Sequence, residues 1–350
     1  MPSNNPHILQ LPVELCEWIA YLLPLVSHNA LCHTSRELYS KLNPSLHRRN
    51  SRDFNNSALL WATKCMNMRT IALALQHEAD VNTADKNWRT PLSFAAERGY
   101  ESIVITLLQH KADVNTADKN WRTPLSFAAE RGYESIVITL LEAHACAYQV
   151  DLCGHAPLSY AALNGHKRLV ELLLATDHDA TDHDGIDHDG YLFYYVPDAL
   201  DCAAEKGQNE IIECLFRTGY VKDCGMALLL ATKGGHGDTV RLLLTKAGID
   251  VNGKDEDGQS PLTIAVMGRK HSIVEDLIAA RNIDVDYIDE GGWTPLCWAA
   301  SLGDDRMAKL LIAAHADKKL AAEALAEEYE DEELTSCLLT LSPNHGLVND

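Results

Sequence analysis

The sequence predicts an all-α-dominated solenoid, and three observations carry that prediction. Residues 76–108 and 109–141 are the same 33-residue unit in tandem, differing only at Glu78 against Lys111. A repeat of that length marks stacked units that contact mainly their neighbours. Thr90-Pro91-Leu92 and Thr123-Pro124-Leu125 each place a hydroxyl cap before a proline, whose missing N–H costs nothing at the first helical position. About fifteen residues later a second apolar set, such as Ile103, Val104, Leu107 and Leu108, has helical spacing and ends in the polar turn Ala-Asp-Val-Asn.

The first 52 residues do not share this period. Leu11, Pro12, Leu15, Ile19 and Leu22 are spaced as one face of a short helix that Pro24 closes, and Leu31 and Leu38 belong to a second apolar set ending at Asn43-Pro44. Either this segment docks a partner, or it caps the first repeat by covering an apolar face that would otherwise be wet.

From Ser57 the period takes over. The cap position recurs at Ser57, Thr90, Thr123, Ala156, Asp198, Met226, Ser260 and Thr294, which makes eight repeats. The steps are regular except for 42 residues before Asp198 and 28 after it. The long step assigns an acidic insert to residues 175–197, and the short one removes most of a finger near residues 221–225. Met226 has no side chain that can cap. Residues 318–350 are rich in Ala, Glu and Leu at first and then polar, so a capping helix with an acidic face and a tail are expected. Domain limits follow at 1–52, 53–317 and 318–350.

Composition narrows function. The formal charge of -20 repels phosphate backbones and argues against nucleic acid as a partner. The apolar run at residues 18–26 is short and broken by Pro24, which fits neither a signal peptide nor a membrane span. Ten cysteines without a C-x-x-C pair suit reduced thiols. An intracellular address, cytoplasmic or nuclear, is expected. None of the short hydrolase, metalloprotease, phosphate-loop or dinucleotide motifs is present, so neither catalysis nor a cofactor is expected.

The pattern TPL...AA..G...IV..LL...ADVN resembles the ankyrin repeat over most of residues 57–317. That resemblance implies a hairpin finger followed by two antiparallel helices in each unit, with protein targets bound on the concave face of fingers and first helices. Carried over position by position, it nominates Lys86, Asn87, Arg89, Glu97, Arg98, Lys119, Asn120, Arg122, Glu130, Arg131, Leu163, Asn164 and Trp293, and further along Asp257, Gln259, Glu290, Ser301 and Leu302. The family's usual histidine after Thr-Pro-Leu is absent from all eight repeats. LPVEL followed by LCHTSRELYSKLNPSLHRR resembles an F-box, most closely that of fungal F-box/ankyrin proteins, although the usual tryptophan is replaced by Leu38-Tyr39. This second resemblance implies docking onto the Skp-type adaptor of a cullin ubiquitin ligase, and hence a substrate receptor. A plain scaffold is the alternative.

Two oddities remain. Trp88 and Trp121 occupy the hairpin position where the family has glycine, either as anchors for a partner or packed on a neighbouring finger. Residues 177–190 read DHDATDHDGIDHDG, so His178, His183 and His188 with their aspartates are weak candidates for a metal-responsive site, against the simpler reading of a short-period expansion in a surface loop. The aromatic group Tyr191, Phe193, Tyr194 and Tyr195 is expected to fold back on the stack. His110, His144 and His315 are expected to end second helices, where a left-handed residue often sits.

Overall fold

Helix formation starts from the caps. The Thr90 hydroxyl accepts the Ser93 N–H at 3.2 Å, with Pro91 in the first helical position, and Thr123, Ser260 and Thr294 repeat this geometry. Except in the fifth repeat, each first helix is stopped within seven to ten residues. In the regular repeats Gly99 and Gly132 take left-handed φ values of 75° and 78°, which let their N–H groups return to the last carbonyls. The second helix begins two residues later and buries Ile103, Val104 and Leu107, or their equivalents Ile136, Val137 and Leu140.

The computed structural model describes residues 57–176, 188–221, 224–246, 248–329 and 340. Among these the chain forms seventeen helices and no strands, the fold class expected. Eight antiparallel pairs follow in order: α1 (Ser57–Lys64) with α2 (Met68–Gln76), α3 (Pro91–Arg98) with α4 (Glu101–Gln109), α5 (Pro124–Arg131) with α6 (Glu134–Glu142), α7 (Pro157–Leu163) with α8 (Lys167–Ala175), α9 (His188–Glu205) with α10 (Asn209–Arg217), α11 (Gly225–Gly234) with α12 (Gly237–Leu244), α13 (Pro261–Met267) with α14 (His271–Ile278), and α15 (Pro295–Ser301) with α16 (Asp305–Ala313). α17 (Lys318–Tyr329) follows and packs on α15. No helix among the described residues is long and apolar enough to cross a membrane. The segment carrying Leu11, Pro12, Leu15, Ile19, Leu22, Leu31 and Leu38, together with His178 and His183, lies outside the described residues. So does the side chain of His188.

The contacts divide the chain into two compact units, Met1–Pro157 and Leu158–Asp350. In the first, α3 packs on both α1 and α5, and a layer of small residues, Ala95, Ala96, Ala128 and Ala129, lets the first helices approach closely. In the second, α9, α11, α13 and α15 stack in the same way, with Ala203, Ala231, Ala265 and Ala299 fully buried.

The irregular middle departs from its sequence reading. The first helix of the fifth repeat does not start at Asp198. It starts at His188 and carries Pro197 inside it. The reason is apolar spacing: Leu192, Val196, Ala199, Leu200 and Ala203 fall on one helical face, and all are buried. Asp198 is therefore not a cap, and its carboxylate accepts the Ser159 hydroxyl. The expected insert shrinks from 175–197, because α8 reaches Ala175 and α9 begins at His188. Of the aromatic group, Tyr194 is 76% exposed with its ring edge-on to the half-buried Tyr195, the side chains of Tyr191 and Phe193 lie outside the described residues, and Leu192 and Val196 are buried. α11 begins at Gly225 without a side-chain cap. His144 and His315 take the left-handed positions, whereas beside His110 the position is held by Lys111.

Candidate functional site

The first compact unit builds its surface from three consecutive fingers. In each, an aspartate organises the turn: Asp85 Oδ1 accepts the N–H groups of Asn87 (2.9 Å) and Arg89 (3.1 Å), and Asp118 and Asp151 do the same one and two repeats on. Burial by itself would raise the Asp85 pKa. The two N–H groups and the Lys64 ammonium, 3.4 Å away, outweigh it and hold the carboxyl below its ordinary value. The turn then needs a left-handed residue to bring the chain back. Gly154, Gly258 and Gly292 fill that position in other fingers, at φ 86°, 72° and 82°, but in the first two fingers it is Trp88 at φ 62° and Trp121 at φ 65°. A bulky residue there is a genuine conformational outlier. Both indoles project into solvent, 58% and 56% exposed. Adjacent fingers are joined through backbone: Lys119 N–H donates to the Asn87 carbonyl, and Leu152 N–H to that of Asn120, each at 3.0 Å. Leu152, at the position of Lys86 and Lys119, is 67% exposed and extends the apolar tips to a third finger.

Behind the tips runs a column of alternating cations and rings. Lys64 lies 4.1 Å over the Phe94 ring, the Arg89 guanidinium lies 4.2 Å from both Phe94 and Phe127, and Arg122 lies 4.2 Å over Phe127. Arg89 also donates to Glu97 (2.7 Å), and Arg122 to Glu130. Of the nominated residues, Arg89, Glu97, Arg122 and Glu130 are half-buried: each arginine pairs with the glutamate of its own repeat, and Arg89 also reaches the Phe127 ring of the next.

Their neighbours stay open. Arg98 and Arg131 end α3 and α5 exposed, and Lys86, Asn87, Lys119 and Asn120 are exposed at the tips. Glu97, Arg98, Tyr100, Arg131 and Tyr133 enclose a shallow groove of about 410 Å³. Its floor is a close fit, because a Cβ added at Gly99 would lie 2.8 Å from the Tyr133 ring. Such a lining can hold apolar and charged groups of a partner, and it is open to water.

In the second unit the nominated Trp293 is a poor contact residue. It is 6% exposed, its ring centroid 4.6 Å from that of Trp298, whose Nε1–H donates to Asp289 at 2.8 Å. Asn164 is exposed, but its amide donates to the Tyr160 carbonyl, and Leu163 is half-buried. The fingertips of this unit carry Glu256, Asp257 and Glu290, all exposed.

Sequence reasoning passed over Tyr100, Tyr133 and Leu152. Leu152 could have been found by extending the finger alignment one repeat, since it stands where Lys86 and Lys119 stand. The tyrosines carry no such signal, because they become a site only when the turn of one repeat closes on that of the next.

The family profile described as ankyrin repeats (3 copies) matches residues 26–118, 115–184, 200–289 and 228–322. No curated protein was found to match the chain.

Proposed function

Because the chain belongs to the ankyrin-repeat family, a family of protein-interaction modules, we propose that it is a substrate receptor of a Skp-cullin-F-box type ubiquitin ligase. In this reading residues 11–50 dock the adaptor, and the fingers and first helices select the target protein. The observation that carries target binding is the pair of exposed indoles, Trp88 and Trp121, held at left-handed φ where glycine serves other fingers. Glycine makes the same turn without left-handed strain, and more than half of each indole stays in water, so the exposed ring surface is available to a partner. The adaptor half rests on the order of the chain, an F-box-like leucine pattern followed by repeats.

Co-purification of the intact chain with the Skp-type adaptor, compared with a chain lacking residues 1–52, tests the proposal. The intact chain is expected to retain the adaptor and the shortened one to lose it. No retention by the intact chain would sink the ligase reading. If the shortened chain merely melts earlier and still binds its target, the segment is a cap and the protein a plain scaffold.

A further inference from the structure

We infer that the partner held by the first compact unit is an acidic segment carrying apolar side chains; this rests on the protein-recognition reading and names the partner's chemistry. The chain as a whole is strongly acidic, yet this face is not. Glu97 and Glu130, the carboxylates of the first helices, are tied to Arg89 and Arg122 inside the cation and ring column. Asp85 and Asp118 are turned into their own fingers, where backbone N–H groups occupy them. What the surface presents is Lys86 and Lys119 at the tips and Arg98 and Arg131 beside the groove, all exposed, with only the outer oxygen of Glu97 near Arg131 at 3.9 Å. Of the other exposed carboxylates of this unit, Asp80 and Asp113 accept N–H groups of their own turns, Glu78 and Glu142 stand at the ends of second helices, and Glu101 sits at the start of an outer helix, where the helix end favours it.

The fingertips of the two units differ in sign at equivalent positions. Where the first unit has Lys86 and Lys119, the second has Glu256 and Glu290. The cationic tips alternate with Trp88, Trp121 and Leu152, and the groove adds Tyr100 and Tyr133. Ammonium and guanidinium groups one repeat apart, interleaved with apolar surface, complement an extended chain in which carboxylates alternate with apolar residues. A polyphosphate is the poorer match. The cations form no continuous stripe, half-buried glutamates stand between them, and the chain's charge of -20 opposes a dense polyanion.

The test is fluorescence anisotropy with the full chain and four labelled probes: short peptides of alternating Glu and Leu, of Gln and Leu, and of Lys and Leu, and a short oligouridylate. The Glu/Leu peptide is expected to bind about tenfold tighter than the Gln/Leu peptide, since four surface cations each add a modest, salt-screened attraction. The double reversal Lys86→Glu with Lys119→Glu, at exposed tips, is expected to abolish that preference. Adding Arg98→Glu and Arg131→Glu reverses it toward the Lys/Leu peptide, with circular dichroism confirming that helicity is kept. Trp88→Gly with Trp121→Gly is expected to weaken every peptide. Equal binding of the Glu/Leu and Gln/Leu peptides, tighter binding of the oligouridylate, indifference to the double reversal, or binding by no probe each overturns the inference. Binding of the neutral or basic peptide that the tryptophan substitutions weaken and the reversal leaves alone would overturn only the acidic class, leaving recognition at this face intact.

Discussion

Replacing Trp121 by alanine and, separately, by glycine separates the indole from the backbone that carries it. Both changes remove the same contacts. The indole is 56% exposed, so a little under half of its surface is covered. At about 25 cal/mol per Å², and with a full Trp surface of about 250 Å², that cover contributes roughly 2 kcal/mol once residual burial in the unfolded chain is discounted. The two variants differ in the backbone. Alanine keeps φ near 65° at a cost of about 1–2 kcal/mol, whereas glycine adopts it freely and gives back about 0.5–1 kcal/mol through the greater freedom of its unfolded chain. Trp121→Gly is therefore expected to be about 1 kcal/mol more stable than Trp121→Ala, the reverse of the order found inside helices. Urea denaturation followed by circular dichroism, with slopes compared so that a change in cooperativity is not mistaken for stability, measures the difference. Trp88, at φ 62°, should repeat the result. An alanine variant as stable as the glycine one at both positions would refute the claim that these fingers store left-handed strain.

Three further outcomes follow from the packing. Gly99→Ala places a Cβ 2.8 Å from the Tyr133 ring at φ 75°, and is expected to cost about 1–3 kcal/mol, with part recovered by adding Tyr133→Ala, in thermal melts. Arg89→Ala removes a guanidinium seated between Phe94 and Phe127 and bonded to Glu97, for an expected loss of about 2–3 kcal/mol; Arg89→Lys should restore less than half, because an ammonium does not fill a planar slot. Asp286→Asn should stabilise the last repeats. Asn115 and Asn252 accept the N–H of Cys146 and Asp284 and donate to the carbonyls of His144 and Asn282, whereas Asp286 accepts the Asp317 N–H and, ionised, has no hydrogen to donate. Burial first, then the Asp317 and Asp284 charges, raise its pKa against the pull of the Asp317 N–H. A raised folded pKa means that folding favours the protonated carboxyl, so the penalty is absent below the unfolded value of about 3.8 and complete above the folded one. The advantage of asparagine, about 1 kcal/mol at pH 7, should therefore vanish on acidification, and an advantage independent of pH would contradict this cause.

Much of the fold was legible because its signals are local. A Thr-Pro pair states where a helix starts, an apolar spacing states which face it buries, and a tandem copy states that the face meets its own likeness. Sequence and structure part where two local signals compete. The repeat spacing from Ala156 puts a cap at Asp198, while Leu192 and Val196 already continue the helical spacing upstream. At the candidate site the exposed tips Lys86, Asn87, Trp88, Lys119, Asn120 and Trp121 could be read from position alone, since nothing lies beyond a finger to bury them.

The sequence by itself determined the architecture, since capping, turn chemistry and helical periodicity act within a few residues of chain. Only the tertiary structure decided which charges remain for a partner. Arg89 meets Phe127 from the next repeat, Glu97 closes on Arg89 across eight residues, and Tyr133 settles on Gly99 from one repeat further on. The first joins a finger to a helix of the next repeat, the second closes within one repeat and the third brings two inter-helix turns together, and a side chain's charge is available to others only after this packing has taken what it needs.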